Sequence, residues 1–157
     1  MKKILFLCSG NTCRSPLAEG IARKILTSRV NFPVEISSAG TSAFEGMPAS
    51  QHSVEVAARH GVDLNGHQST LLTRTQVRDA DLIVTMGVKH RETVGVIDPE
   101  ALLYTVLLTS FCGGDGDVPD PIGGGLSEYE RIYDLIDRCV DALAEGLVGY
   151  GGWKSVD

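Results

Sequence analysis

The chain has 157 residues, 43% hydrophobic and 22% charged, which suits one globular domain, 1–157, able to bury roughly two thirds of its unfolded surface. Its net charge of -6 and pI near 5.1 argue against a nucleic-acid partner, which calls for a basic stripe. No apolar run approaches the roughly 20 residues of a membrane span, and Ile4 to Leu7 is too short for a signal-peptide core, so a cytoplasmic protein with no membrane partner is expected.

The first strand is read from Lys3 to Leu7. A polar loop, Cys8-Ser9-Gly10-Asn11-Thr12-Cys13-Arg14-Ser15, separates it from a helix over about Pro16 to Ser28, where Leu17, Ile21 and Ile25 form an apolar stripe. Val34 to Ser37 reads as the second strand. A helix from about Ser50 to His60 follows, closed by Gly61, and Thr73 with Gln76 fits a capping box. Asp81 to Met86 reads as a third strand, apolar on both faces and therefore buried between layers. Lys89 to Val96 is expected to be helical and Leu102 to Val106 to be the fourth strand. Residues 112 to 125 hold six glycines, three aspartates and two prolines, which is loop composition, and a loop that long in a compact domain is usually functional. The last helix is expected to start at a second capping box, Ser127 to Glu130, and to end in the Gly149-to-Gly152 region. Alternating strands and helices predict an α/β, doubly wound domain with a four-stranded parallel sheet, which binds ligands at the carboxyl ends of its strands.

The Cys8 loop lies at such an end. The amides between a strand and a helix are free to turn inward, and the helix N-terminus adds unpaired N–H groups and about half a positive charge. Gly10 and Asn11 tolerate the left-handed backbone of an anion nest, Pro16 suits a first helical turn, and Arg14 supplies a planar fork for two phosphate oxygens. Ser9, Thr12 and Cys13 complete the cradle. At its base, Cys8 faces positive surroundings that favour the thiolate, a nucleophile in line with a bound phosphoryl group. Ser15 is read both as a hydrogen-bond donor to the sulfur and as a helix N-cap. Asp115, Asp117 and Asp120 cluster in the late loop, and a carboxyl there can protonate a leaving group and then deprotonate water. His52, His60 and His90 have no metal-site spacing. The four cysteines, at 8, 13, 112 and 139, lack the close pairing of a zinc site and are expected to stay thiols in a reducing compartment, with Cys139 as helix packing. Cys8 and Cys13 share a loop, which invites a reversible bridge under oxidant.

Cys8-x5-Arg14-Ser15 directly after the first strand, with Asn11-Thr12-Cys13-Arg14-Ser15-Pro16 and the late Asp120-Pro121, resembles the low-molecular-weight protein tyrosine phosphatases. It is most similar to their protein-arginine-phosphatase branch. Ser37-Ser38-Ala39-Gly40-Thr41, Gly61-Val62-Asp63-Leu64, Asp81-Leu82-Ile83-Val84-Thr85-Met86 and Asp117-Val118-Pro119 extend the likeness along the chain. The resemblance implies a flavodoxin-like sheet of order 2-1-3-4 and hydrolysis of phosphorylated protein side chains through phosphocysteine, releasing inorganic phosphate without metal or cofactor. It singles out Asp120 as the general acid and base, leaves Asp115 and Asp117 as rim, and implies that Asn11, Ser38 and His67 form a network supporting the nucleophile loop. It also implies that Thr12 and Ile122 bear on substrate choice. A small Thr resembles the arginine branch, as does the lack of pocket-wall tyrosines after Asp120, whereas Ile122 departs from the aromatic usual there. Phosphoarginine is therefore favoured, with phosphotyrosine the alternative. Thioredoxin-coupled arsenate reductases resemble this fold too, but they need two more cysteines near the third strand, and residues 80 to 95 contain none.

Overall fold

The computed structural model describes residues 1–114 and 116–147; Asp115 and the expected helix end and tail from Gly149 to Asp157 lie outside the described residues. Four parallel strands, β1 (Lys2–Cys8), β2 (Val34–Gly40), β3 (Leu82–Thr85) and β4 (Thr105–Leu107), form one sheet in the order β2-β1-β3-β4. The helices are α1 (Arg14–Arg29), α2 (Gln51–Arg59), α3 (Arg74–Asp79), α4 (Val88–Ile97) and α5 (Leu126–Leu147).

The period-two alternation of β1 divides the core. Ile4 and Phe6 pack with Leu17, Ile21, Ile136 and Leu143 of α1 and α5. Leu5 and Leu7 face the opposite way, toward Val77 and Val94 of α3 and α4. Both sheet faces are thus covered by helices, which is why β3 is buried throughout and apolar over Leu82-Ile83-Val84. Truncating a fully buried side chain such as Phe6 to Ala costs about 3–5 kcal/mol through lost transfer energy and the cavity left behind. The sheet register sets Cys8 beside Gly40, so the ends of β1 and β2 meet at the same height.

Several local signals appear as read. Thr73 and Gln76 make the reciprocal capping box, and Ser50 caps α2 by accepting the Ser53 N–H. Other expectations are corrected. Leu102 to Tyr104 belong to a 3-10 helix, Pro99–Tyr104, initiated by Asp98, whose side chain accepts the Glu100 N–H, so β4 begins only at Thr105. Ser127 lies inside α5, because the Gly125 carbonyl already accepts from Glu128 and Tyr129 N–H groups, and its capping box has no place to form.

The cysteine expectation is corrected too. Cys139 does sit on the buried face of α5, but it forms a disulfide with Cys112 at the end of a second 3-10 helix, Leu108–Cys112, which packs on α5. In the chain-entropy picture, closing a loop across a separation of 27 residues stabilises the fold by about 3.5 kcal/mol. Reduction by dithiothreitol, or Cys112→Ser, is therefore expected to lower the melting temperature by roughly 7–14 °C. Thiol labelling of unreduced, denatured protein checks the premise, since reaction of Cys112 and Cys139 would show that the bond is absent.

Candidate active site

β1 ends at Cys8 and α1 starts at Arg14, and the five residues between them wrap into a tight loop. Asn11 takes a left-handed backbone, φ 55°, and is the one non-glycine residue with positive φ among the described residues. The loop presses against Gly40: a Cβ there would lie 2.5 Å from the Ser9 carbonyl oxygen and 2.9 Å from the Asn11 nitrogen, so only glycine admits this approach. Backbone bonds hold the loop from outside. Thr41 and Ser42 donate to the carbonyls of Cys8 and Ser9, each at 2.9 Å, and Ser50 donates to that of Thr12 at 2.8 Å.

Asn11 is fully buried, and its polar atoms carry the loop's internal bonding. Its N–H donates to Cys8 Sγ at 3.3 Å, and its Nδ2 donates to Ser15 Oγ at 2.8 Å and Ser38 Oγ at 2.9 Å. Its Oδ1 accepts the Thr70 N–H at 3.0 Å, and its carbonyl meets His67 Nε2 at 2.7 Å. Ser15 Oγ also lies 2.9 Å from Cys8 Sγ, so the sulfur has two polar partners within the loop. Ser15 sits within α1 and makes no side-chain cap; the N-cap position belongs to Cys13. Behind the network, Glu19 accepts from Ser38 Oγ at 2.7 Å and lies 3.8 Å from His67 Nδ1.

Arg14, the first residue of α1, is buried. One guanidinium nitrogen donates to the Val118 carbonyl at 2.9 Å and the other stands 3.6 Å from Asp120 Oδ2. The late loop is thus drawn against the Cys8 loop, with the Asp120 side chain 42% exposed at its edge. Asp117 is more than rim, because its Oδ1 accepts the Val88 N–H at 2.8 Å and so caps α4. Thr12 is half-buried and Ile122 is 64% exposed. Cys13 does not join the Cys8 network: its Sγ donates to Ser50 Oγ at 3.3 Å and lies 3.4 Å from the Tyr129 hydroxyl.

His52, His60 and His90 each have a partner in the fold. His60 bonds Glu130 at 3.1 Å and stacks on Tyr133, tying α2 to α5, while His52 packs edge-on against Tyr129. His90 is fully buried and bonds Ser9 Oγ at 2.9 Å. Burial, then the positive charges of Arg14 and Lys89, lowers its pKa to about 4 and keeps it neutral. Sequence reasoning missed Glu19, Thr70, His90 and the Val118 carbonyl. For Glu19 a signal existed, since Ser15 and Glu19 are one helical turn apart and share a face. The Thr70 N–H and Val118 carbonyl are backbone groups that no side chain announces.

Comparison with known proteins adds an independent finding. The sequence pattern of the family described as low molecular weight phosphotyrosine protein phosphatase matches residues 3–149. A protein-arginine-phosphatase of Geobacillus stearothermophilus is 36% identical over 146 residues, covering 92% of this chain and 95% of that protein. The low molecular weight protein-tyrosine-phosphatase Etp of Escherichia coli K12 is 35% identical over 144 residues, covering 92% and 93%. Among solved structures, a cysteine-to-serine mutant of YwlE arginine phosphatase with a phosphorylated active site serine superposes with a TM-score of 0.87 at 31% identity, covering 95% of this chain and 97% of that one. Sequence pattern, full-length relatives and shared architecture agree, and the chain belongs to the low-molecular-weight protein phosphatases, a family of cysteine-dependent enzymes.

Proposed function

We propose that this phosphatase hydrolyses phosphorylated protein side chains through a phosphocysteine on Cys8, with phosphoarginine favoured over phosphotyrosine. The observation that carries the chemistry is the position of Cys8 Sγ. It accepts the Asn11 N–H, contacts Ser15 Oγ and lies in the loop that leads into the N-terminus of α1, whose first residue is Arg14, so that amides, a helix N-terminus and a guanidinium are available to a phosphoryl group. The thiolate attacks phosphorus and the bond from phosphorus to the leaving oxygen or nitrogen breaks, while Asp120 gives its proton to the departing atom. Asp120, now a carboxylate, takes a proton from water as that water attacks phosphocysteine; phosphate leaves and the thiolate returns. The phosphorylated serine in the YwlE mutant supports a covalent step at this position.

Identity with the arginine and tyrosine phosphatases is nearly equal, so substrate preference rests on the pocket residues. Thr12 offers a hydroxyl to a guanidinium and too little bulk to cover a ring. Residues 80 to 95 lack the cysteines of an arsenate reductase, and Cys112 and Cys139 are committed to each other. Phosphorylated proteins are the partners of this reading and the cytoplasm its compartment. The Cys112–Cys139 bond points the other way, because reducing compartments keep such pairs as thiols; trapping thiols in intact cells decides between them.

Cys8→Ser is expected to abolish release of para-nitrophenolate from its phosphate ester while retaining vanadate binding, and activity within tenfold of wild type would remove Cys8 as the nucleophile. For Asp120→Asn, the expected loss is large with poor leaving groups and smaller with para-nitrophenolate; equal losses across a leaving-group series would move the acid elsewhere. Thr12→Ile should lower kcat/KM on phosphoarginine peptides and raise it on matched phosphotyrosine peptides, each by about ten- to a hundredfold, the range that one or two methylenes give. A wild type that prefers phosphotyrosine, and a variant that changes neither substrate, would leave the tyrosine reading standing.

A further inference from the structure

His90 is a poor filler of apolar space. It has 0% exposure, and its Nδ1 is buried with no hydrogen-bond partner, an arrangement that costs free energy relative to a hydrocarbon of the same shape. What the imidazole adds is the 2.9 Å bond from Nε2 to Ser9 Oγ, and Ser9 directly follows Cys8. The bond joins residues 81 positions apart and ties the nucleophile loop to the first turn of α4.

That same turn is bound to the late loop. Asp117 accepts the Val88 N–H at 2.8 Å, and Val118 N–H donates to the Met86 carbonyl at 2.7 Å. A Cβ on Gly87 would lie 2.9 Å from the Asp117 carboxyl carbon, so the contact is close as well as bonded. The start of α4 is therefore held on one side by Ser9, the residue after Cys8, and on the other by Asp117, three residues before Asp120, while Val118 ties the same loop to Met86 just ahead of the helix. The charged groups around the imidazole are Arg14 on α1, Lys89 on α4, and Asp117 and Asp120 on the late loop.

We propose that His90 is a positioning residue that locks Ser9 to the first turn of α4, so that one short helix sets the spacing between the nucleophile at Cys8 and the acid at Asp120. The inference rests on the roles proposed above for those two residues. The imidazole touches neither substrate nor reacting atoms; it acts through Ser9 on the nucleophile side and through α4 on the acid side. As a neutral group it also brings no second cation to compete with Arg14 for the phosphoryl oxygens.

The test is a double-mutant cycle of Ser9→Ala and His90→Leu, with His90→Gln as the conservative variant, because the Gln terminal amide reaches the position of Nε2. On para-nitrophenyl phosphate, Ser9→Ala and His90→Leu are each expected to lower kcat about tenfold, the effect of one lost hydrogen bond to a functional group, with KM within about twofold. The double variant should lose no more than either single one, His90→Gln should recover kcat to within about threefold of wild type, and the loss in His90→Leu should deepen with poorer leaving groups. Wild-type kcat in Ser9→Ala, losses that multiply in the double variant, or a His90→Gln no better than His90→Leu would each overturn the proposal. Should His90→Leu fail to fold, Ser9→Ala and His90→Gln still decide it. Cys8→Ser separates the two levels: if it is active, the underlying chemistry is wrong, and if it is inactive while Ser9→Ala turns over like wild type, only the positioning role falls.

Discussion

The structure depends on the backbone of one residue. Asn11 holds a left-handed conformation that costs a non-glycine residue about 1–2 kcal/mol, and it does so fully buried, where any unpaired polar atom would add a further penalty. Five hydrogen bonds offset that cost, reaching Cys8 and Ser15 within the loop, Ser38 at the end of β2, and His67 and Thr70 in the segment after α2. Turning the chain at Asn11 aims its N–H at the sulfur and lets α1 start at Arg14. The same contacts make β2 and the segment through His67 and Thr70 part of the site, although neither supplies a reacting atom.

A second constraint is electrostatic. Arg14 is buried with the Val118 carbonyl as its short partner and Asp120 as a longer ionic one, which leaves the guanidinium capacity to bind an arriving anion. Its position depends on α1 and on the late loop together, so the cation that would grip phosphate also draws Asp120 toward it. Among the described residues the late loop is tied down by the disulfide at Cys112, by Thr109 on Gly114 and Gly116, by Asp117 on α4 and by Val118 on Arg14 and β3's end. A glycine-rich segment gains its fixed shape from these anchors.

What was legible in the sequence follows the range of the interactions. The Thr73–Gln76 box, the apolar stripe of α1 and the apolar run of β1 are local, and side-chain type and spacing determine them. Sheet order was available from resemblance, since no periodicity reports which strands are neighbours. The Cys112–Cys139 bond was not legible, because α5 and the second 3-10 helix meet only through the packed fold. β4 was misjudged because Leu102-Leu103-Tyr104 has strand-like composition while the Asp98-Pro99 start fixes a helical turn; Leu103, 88% exposed, has no sheet face to cover. His90 was judged for metal spacing alone, and its partner lies across the sheet's carboxyl edge in Ser9.

The buried imidazole also gives the fold a limit in acid. An ordinary histidine takes a proton near pH 6.5, whereas His90 in the folded chain does so only near 4, chiefly because burial disfavours its charged form. Between those values the unfolded chain binds the proton and the folded chain does not, so mass action favours unfolding. Protonation of His90 therefore has no effect on the fold above about pH 6.5, draws down its stability as the medium acidifies toward about 4, and adds no further loss below that. The acid tolerance of the protein is tied in this way to the side chain that holds Ser9 in place.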